Sequence, residues 1–313
     1  MDSSSNPILA SVIIPVFNNK STLSLCLEAL TKTDFSSYEI VLVDDGSTED
    51  IGTIAKKFPK VRFFRMEKNQ GAAAARNHAI SFARGNILLF TDGDVEVKPD
   101  WISKAVHCLK MQTEVDSNTA GFSGSFEIYG NFFQKADVFS LFGYNTFGVA
   151  QLRCSLITGN SALWRSAVQS VGCFDISLRA EEDRDLALRL IEKGYHIYYR
   201  PEIQVRHHPR RSSFFTLCYY NFSLGSRIGL HNEIQFKQHP WFMKLFLNAF
   251  LFWMLIPFIS LIITLKIICF NFPRRKDVLL YAPLIFLTKI CWRTGAWMWM
   301  IRQKKARCKK SCP

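Results

Sequence analysis

Residues 86–94 read Asn-Ile-Leu-Leu-Phe-Thr-Asp-Gly-Asp, NILLFTDGD. A short continuous apolar run closed by two carboxylates reads as a fully buried strand with polar chemistry at its carboxyl end. The same pattern recurs upstream. Ala10–Phe17 is apolar and β-rich, Tyr38–Val43 (YEIVLV) is closed by Asp44-Asp45-Gly46-Ser47, and Val61–Met66 is a further strand. Between them lie helical stretches: Lys20–Lys32 with Leu23, Leu27 and Leu30 at helical spacing, Glu49–Phe58, and the Ala-rich Gly71–Arg84. Asp100–Met111 follows Pro99 as another helix. Strands and helices alternating at this interval predict an α/β fold of βαβ units, with a mostly parallel, Rossmann-like central sheet and flanking helices. In such sheets ligands sit beyond the carboxyl ends of the strands.

Past residue 112 the pattern loosens. Ala120–Tyr129 reads as a strand, 131–142 is aromatic and ambiguous, and Ser155–Arg165 reads as strand, loop, strand. Glu181–Lys193 predicts a helix stopped by Gly194, and His196–Tyr199 a short strand ended by Pro201. The 313 residues carry a net charge of +13, and its placement is informative. Residues 1–226 balance 24 basic against 24 acidic residues, whereas 227–313 hold 15 basic and 2 acidic. A uniformly basic nucleic-acid binder is excluded; the excess belongs to the tail. The nine cysteines form no CxxC pair, which favours a reducing compartment over a disulfide or zinc framework. The N-terminus lacks a basic n-region and Pro15 interrupts its apolar run, so no signal peptide is expected.

Several polar clusters carry candidate chemistry. Asp92 and Asp94, at i and i+2 after a buried strand, are a hard oxygen pair of the kind that holds Mg²⁺ or Mn²⁺ with substrate phosphates, and Gly93 between them would let a ligand approach. A surface Asp-Gly turn is the bland alternative. Asp44 and Asp45 can accept hydrogen bonds from a base or ribose, or simply form an Asx turn. Asn69-Gln70-Gly71 opens a helix from which Arg76 could reach a diphosphate, or which merely packs closely. Neither GxGxxG nor GxxxxGK[ST] occurs there, against a dehydrogenase or an ATPase. Glu181-Glu182-Asp183 suits a helix N-terminus, but three consecutive acids exceed what capping needs and one would serve as a general base. His207 and His208 are candidates for a metal or diphosphate.

Taken in order, IIPVFN (13–18), VLVDDGS (41–47), NQGAAAARN (69–77), ILLFTDGD (87–94), GNSALWR (159–165) and EEDRDLALRL (181–190) resemble family 2 glycosyltransferases of the GT-A fold, over roughly residues 10–210. The resemblance implies an inverting, nucleotide-sugar-dependent transferase. Pro15, Phe17 and Asn18 would lie at the nucleotide edge, Asp44 and Asp45 on base and ribose, and Arg76 near the nucleotide. Asp92 and Asp94 would form the DxD pair at ribose and metal, and Gly159 and Asn160 the loop met by sugar and acceptor. The family usually shows ED where this chain has EED; aligning on Asp185-Leu186 makes Asp183 the base and Glu182 its neighbour. The doubled histidine leaves open whether His207 or His208 joins the metal, Mg²⁺ or Mn²⁺.

The division expected is a catalytic domain over 1–226 and a basic attachment region over 227–313. Leu245–Leu265 holds 21 residues with no charge, enough to cross about 30 Å of hydrocarbon. A second segment, Val278–Ile301, carries Lys289 and Arg293 on one helix face and Trp292, Trp297 and Trp299 for a headgroup belt. Arg274, Arg275 and Lys276 between the segments, with six basic residues after 301, favour a hairpin or monotopic anchor with both termini cytoplasmic. The expected partners are a nucleoside-diphosphate sugar (UDP- or GDP-linked), a lipid-linked or cell-surface glycan acceptor, and anionic lipid at the cytoplasmic face. A polyprenyl-phosphate sugar synthase, or a non-catalytic nucleotide-binding membrane scaffold, are the alternatives.

Overall fold

The computed structural model describes residues 8–143, 151–153, 155–227 and 248–311. Residues 228–247, which include the start of the apolar segment expected at 245, lie outside them. The chain forms two compact units: Met1–Glu127 with Gly148–His208, and Ile128–Phe147 with Pro209–Pro313.

The first unit is built on one nine-stranded mixed sheet. β1 (Ala10–Val16), β2 (Tyr38–Asp44), β3 (Val61–Arg65) and β4 (Ile87–Thr91) lie side by side in the order β3-β2-β1-β4, all parallel. All of β2 and β4, and β1 apart from Pro15, are buried, which is why they read as unbroken apolar runs. Helices α1 (Lys20–Thr31), the single-turn α2 (Gly52–Ala55) and α3 (Ala72–Phe82) make the crossovers. The helix expected over 49–58 shrinks to α2. In α3 the small residues Ala73, Ala75 and Ala79 join a core with Ile13, Val41 and Phe90. Register fixes the functional edge: Val16 pairs Asp44, and Ile13 pairs Phe90, so the residues after β1, β2 and β4 emerge on one side.

Beyond β4 the sheet is mixed rather than parallel throughout. β5 (Val95–Glu96) and α4 (Trp101–Val115) lead to β6 (Thr119–Glu127), with β7 (Gln151–Arg153), β8 (Asn160–Trp164), α6 (Arg165–Ser170), α7 (Glu182–Glu192) and β9 (His196–His207) following. β8 runs antiparallel to both β4 and β6, while β6 and β9 are parallel. Of the strand, loop and strand expected over 155–165 only the second strand forms, Asn160–Trp164, and the strand expected to stop before Pro201 continues to His207. Proline survives here because β9 bulges: Tyr199 pairs Ser123, but Gln204 pairs Ser125. The carbonyls freed by the bulge find partners. Ser125 Oγ donates to Pro201 O at 2.7 Å and Asn160 Nδ2 donates to Ile203 O at 2.8 Å.

Asn160 is therefore a structural hub, wholly buried, donating also to Ser125 O and accepting from Trp101 Nε1 at 2.9 Å. Asn160→Ala leaves three buried groups unpaired and should destabilise the first unit by about 3 kcal/mol. A lowered thermal midpoint in detergent checks this.

The second unit is helical: α5 (Phe132–Phe142), α8 (Phe214–Arg227), α9 (Ala249–Asn271) and α10 (Val278–Ser311). The ambiguous 131–142 stretch is a helix, started by a reciprocal Asn131–Gln134 capping box. Contact thus groups α5 and α8 with the tail, where the sequence alone divides the chain at 226. By length and composition α9 is the one described helix apolar enough to cross a membrane. Lys289 Nζ donates to Ser140 O of α5 at 2.6 Å, and Arg293 Nη1 donates to Lys289 O at 3.0 Å.

Candidate active site

The carboxyl ends of β1, β2 and β4 gather most of the residues singled out in the sequence. Asn18, held at φ +47°, uses its side chain within the protein: Oδ1 accepts from Thr48 N at 2.8 Å and its own N–H donates to Ser47 Oγ. Phe17 beside it is exposed, and Pro15 lies within β1. Asp44 Oδ1 accepts from Ser47 N at 2.9 Å, and Arg65 lies 3.2 Å from its other oxygen. Asp45 braces the loop before α3, accepting from Gln70 N and Gly71 N, each at 2.8 Å, and from Asn69 Nδ2 at 2.9 Å. Burial raises its pKa, with the loop N–H groups and Arg179 opposing. Gly46 is needed for this approach: at φ +70° a Cβ would lie 2.6 Å from the Lys68 carbonyl carbon.

At the end of β4 the arrangement is electrostatic. Arg76, buried in α3, donates from Nη2 to Asp92 Oδ1 at 3.0 Å and from Nη1 to Glu182 Oε1 at 2.6 Å. Rather than reaching out for a diphosphate, its guanidinium ties the DxD run to the first turn of α7. Burial raises the Asp92 pKa, against the pull of Arg76, and the neighbouring Asp94 raises it further. Gly159 keeps room for that carboxylate, since a Cβ there would sit 3.2 Å from Asp92 Oδ2. Gly93 does not open the site to a ligand as its place between two aspartates suggests. Its missing Cβ points at Asn19, Val16 and Leu23, so it serves packing against α1.

The two histidines part ways. His207, at the end of β9 and edge-on to Phe126, lies with Nε2 3.4 Å from Asp94 Oδ2. His208 turns to Glu96, Nε2 to Oε2 2.8 Å, while its backbone N–H donates to Asp94 O. Two ligands at right angles on a Mg²⁺- or Mn²⁺-sized ion, each about 2.1 Å from it, stand about 3.0 Å apart. The Asp94–His207 spacing and its oxygen–nitrogen donors fit such an ion, with diphosphate oxygens needed to complete the shell. Among the described residues no group of three or more His, Cys, Asp or Glu is arranged to hold a metal.

The acidic run at α7 sorts itself by partner. Glu181, the N-cap at φ +64°, lies 3.5 Å from Arg184; Glu182 is held by Arg76; Asp185 accepts from Arg189 Nε at 2.8 Å. Among the described residues Asp183 makes no ion pair, and its Oδ1 accepts from the Arg184 N–H at 2.8 Å. Burial, then Glu182 and Glu181, push its pKa up to about 7, against the pull of Arg76.

Arg179 was invisible to motif reading. It is exposed, makes no hydrogen bond or ion pair among the described residues, and lays its chain over Gly71, where a Cβ would meet Nη1 at 3.0 Å. An arginine a few residues before an acidic helix was the only available signal, and nothing in the sequence says it folds back over the 69–71 loop.

Residues 11–167 match the family described as Glycosyl transferase family 2. Among curated relatives, glycosyltransferase GlyG of Streptococcus pneumoniae is 33% identical over 129 residues, 40% of this chain and 42% of that protein. Glycosyltransferase AglE of Haloferax volcanii is 28% identical over 69% of this chain and 71% of its own length. UDP-Glc:alpha-D-GlcNAc-diphosphoundecaprenol beta-1,3-glucosyltransferase WfaP of Escherichia coli is 29% identical over 59% and 71%. The chain therefore spans under half of GlyG. Among solved structures, the mannosyltransferase PcManGT of Pyrobaculum calidifontis, in complex with GDP-Man and Mn²⁺, has a TM-score of 0.57 at 18% identity, over 76% of this chain and 66% of that one. GalNAc-T7 with UDP, GalNAc and Mn²⁺ has a TM-score of 0.52 at 20% identity, over 72% and 51%. With the strand-end aspartates, the acidic helix and the matched residues in agreement, this chain belongs to glycosyl transferase family 2 and has the GT-A fold.

Proposed function

We propose that the protein is an inverting glycosyltransferase that moves a sugar from a UDP- or GDP-linked donor to a hydroxyl acceptor, with Asp183 as the general base. The carrying observation is that Asp183 is the acid of the 181–185 run without a cationic partner among the described residues, with a pKa raised to about 7. A base poised near the working pH combines the right protonation state with driving force for proton removal. The acceptor oxygen would attack the anomeric carbon as its proton passes to Asp183. The bond to the diphosphate oxygen breaks on the opposite face, inverting the configuration.

Asp94 and His207 would hold the cation, Mg²⁺ or Mn²⁺, which offsets charge developing on the nucleoside diphosphate. Arg76 holds Asp92 and Glu182 in place through its two guanidinium contacts. The exposed Arg179 guanidinium is suited to the donor's phosphates, and Arg179→Ala should weaken nucleoside-diphosphate binding about tenfold by calorimetry.

WfaP acts on a diphosphoundecaprenol-linked sugar, and α9 is apolar and long enough to span a bilayer. Both support a lipid-linked or cell-surface glycan acceptor met at the cytoplasmic face of the membrane. The test is to present the purified chain with UDP- and GDP-sugars, Mn²⁺ and lipid-linked acceptors, and to measure free nucleoside diphosphate. Acceptor-dependent release supports the reading; no release with any donor sinks it.

A further inference from the structure

The second unit has its polarity reversed. Large apolar side chains stand exposed on it: Phe215 on α8 is 81% exposed, Leu280 on α10 68% and Phe258 on α9 64%. Phe132 on α5 is exposed as well. Three of its charges go inward. Asp137 of α5 is fully buried and accepts from Arg211 Nε at 2.6 Å, and Lys289 and Arg293 of α10 are 5% and 9% exposed. Ser140 and Thr288 hydrogen-bond each other across α5 and α10 at 2.7 Å in the same interior. Water-soluble domains put charge outside and leave only modest apolar patches exposed. Ionisable groups facing the bundle interior, with aromatic and aliphatic side chains outside, are the arrangement of helices surrounded by hydrocarbon.

The exposed charges tell the same story by sign and place. Among the described residues of this unit they are Arg210, Arg227, Lys266, Arg274, Lys276 and Arg302, all basic. Arg210 and Arg227 bracket α8, Arg274 and Lys276 lie in the turn between α9 and α10, and Lys266 nears the end of α9. From Ala249 to Lys266 the helix rises about 26 Å, close to the hydrocarbon thickness of a bilayer. Basic residues at the margins of an apolar surface complement anionic headgroups.

We infer that the whole second unit, including α5 and α8, lies in an anionic phospholipid bilayer, and that attachment is not confined to the C-terminal tail. The inference rests on the membrane location proposed above and extends it to two helices that the sequence assigned to the catalytic domain.

The test uses the unmodified full chain in liposomes of phosphatidylglycerol and phosphatidylcholine. A small apolar diazirine dissolved in the bilayer is photolysed with an aqueous thiol scavenger present, and adducts are mapped by mass spectrometry. The expected result is adducts on peptides containing Phe132, Phe215, Phe258 and Leu280, with none over residues 10–127. Adducts on the α9 peptide without any on Phe132 or Phe215 would overturn the inference and leave the membrane location standing. No adducts on any of the four, with the chain recovered as a soluble oligomer, would overturn both and assign the apolar face to a second copy.

Discussion

Asp183→Asn should lower the turnover number of sugar transfer by about 10²–10⁴-fold while leaving nucleoside-diphosphate affinity unchanged. Asn keeps the shape and the hydrogen bond from the Arg184 N–H but cannot take a proton. In the native enzyme the rate should climb with pH through about 7, because Asp183 must be ionised to act. The same substitution has a measurable consequence for stability, and its sign is fixed. The folded-state pKa is raised, so the folded protein binds this proton more tightly than the unfolded chain. Its stabilising contribution is complete below about pH 4 and is lost as pH rises through about 7. At pH 8 the native protein carries a carboxylate crowded by Glu182 and Glu181, and Asp183→Asn removes it. The variant should be the more stable at pH 8, by up to about 4 kcal/mol, with the gap closing towards pH 4. Thermal midpoints across this range, alongside transfer rates, check both effects. A variant that turns over normally would remove Asp183 from the base role.

Arg76→Met should cost about 3–5 kcal/mol, because it strands two carboxylates on one buried cation's site. Glu182 loses the 2.6 Å contact and Asp92 the 3.0 Å contact, leaving uncompensated negative charge between α3, β4 and α7. Adding Glu182→Gln to that background should recover part of the loss, since it removes one of the stranded charges. Arg76 also draws the Asp183 pKa downward, so its removal should move the rising limb of the pH–rate profile to higher pH. Thermal melts of the single and double variants and a pH–rate series separate the structural from the electrostatic contribution. A melting temperature unchanged by Arg76→Met would show that the pairs contribute no net stability.

The parallel half of the sheet was legible because its strands are buried on both faces and stand as apolar runs between helical spacings. The other half was not. β9 runs through Pro201, and the bulge that accommodates the proline is stabilised by Ser125 and by Asn160, which is 35 or more residues away from both carbonyls it serves. β7 has three residues, too few for a periodic signal. The aspartates after β2 and β4 announced themselves by position. What each one touches did not: the commitment of Asp45 to the 69–71 loop, and the split of His207 to Asp94 and His208 to Glu96, are products of tertiary geometry. Asp183 was singled out by aligning the acidic run on Asp185-Leu186; that Glu181, Glu182 and Asp185 each face an arginine while, among the described residues, Asp183 makes no ion pair was visible only in the structure.

The second unit is assembled from two separated pieces of chain, and this bears on biosynthesis. α5 is made about seventy residues before α8 and well over a hundred before α9 and α10. Until those arrive, Asp137 lacks Arg211, and Ala136 and Phe139 lack the Ile267, Val278, Tyr281 and Ile285 that complete their cluster. A nascent chain therefore holds one unpartnered apolar helix, α5, midway through its catalytic domain and must keep it from aggregating while translation continues. Genetic trimming of the C-terminus cannot yield a clean soluble enzyme either: a chain stopped after His208 would retain α5 with its charged and apolar partners removed.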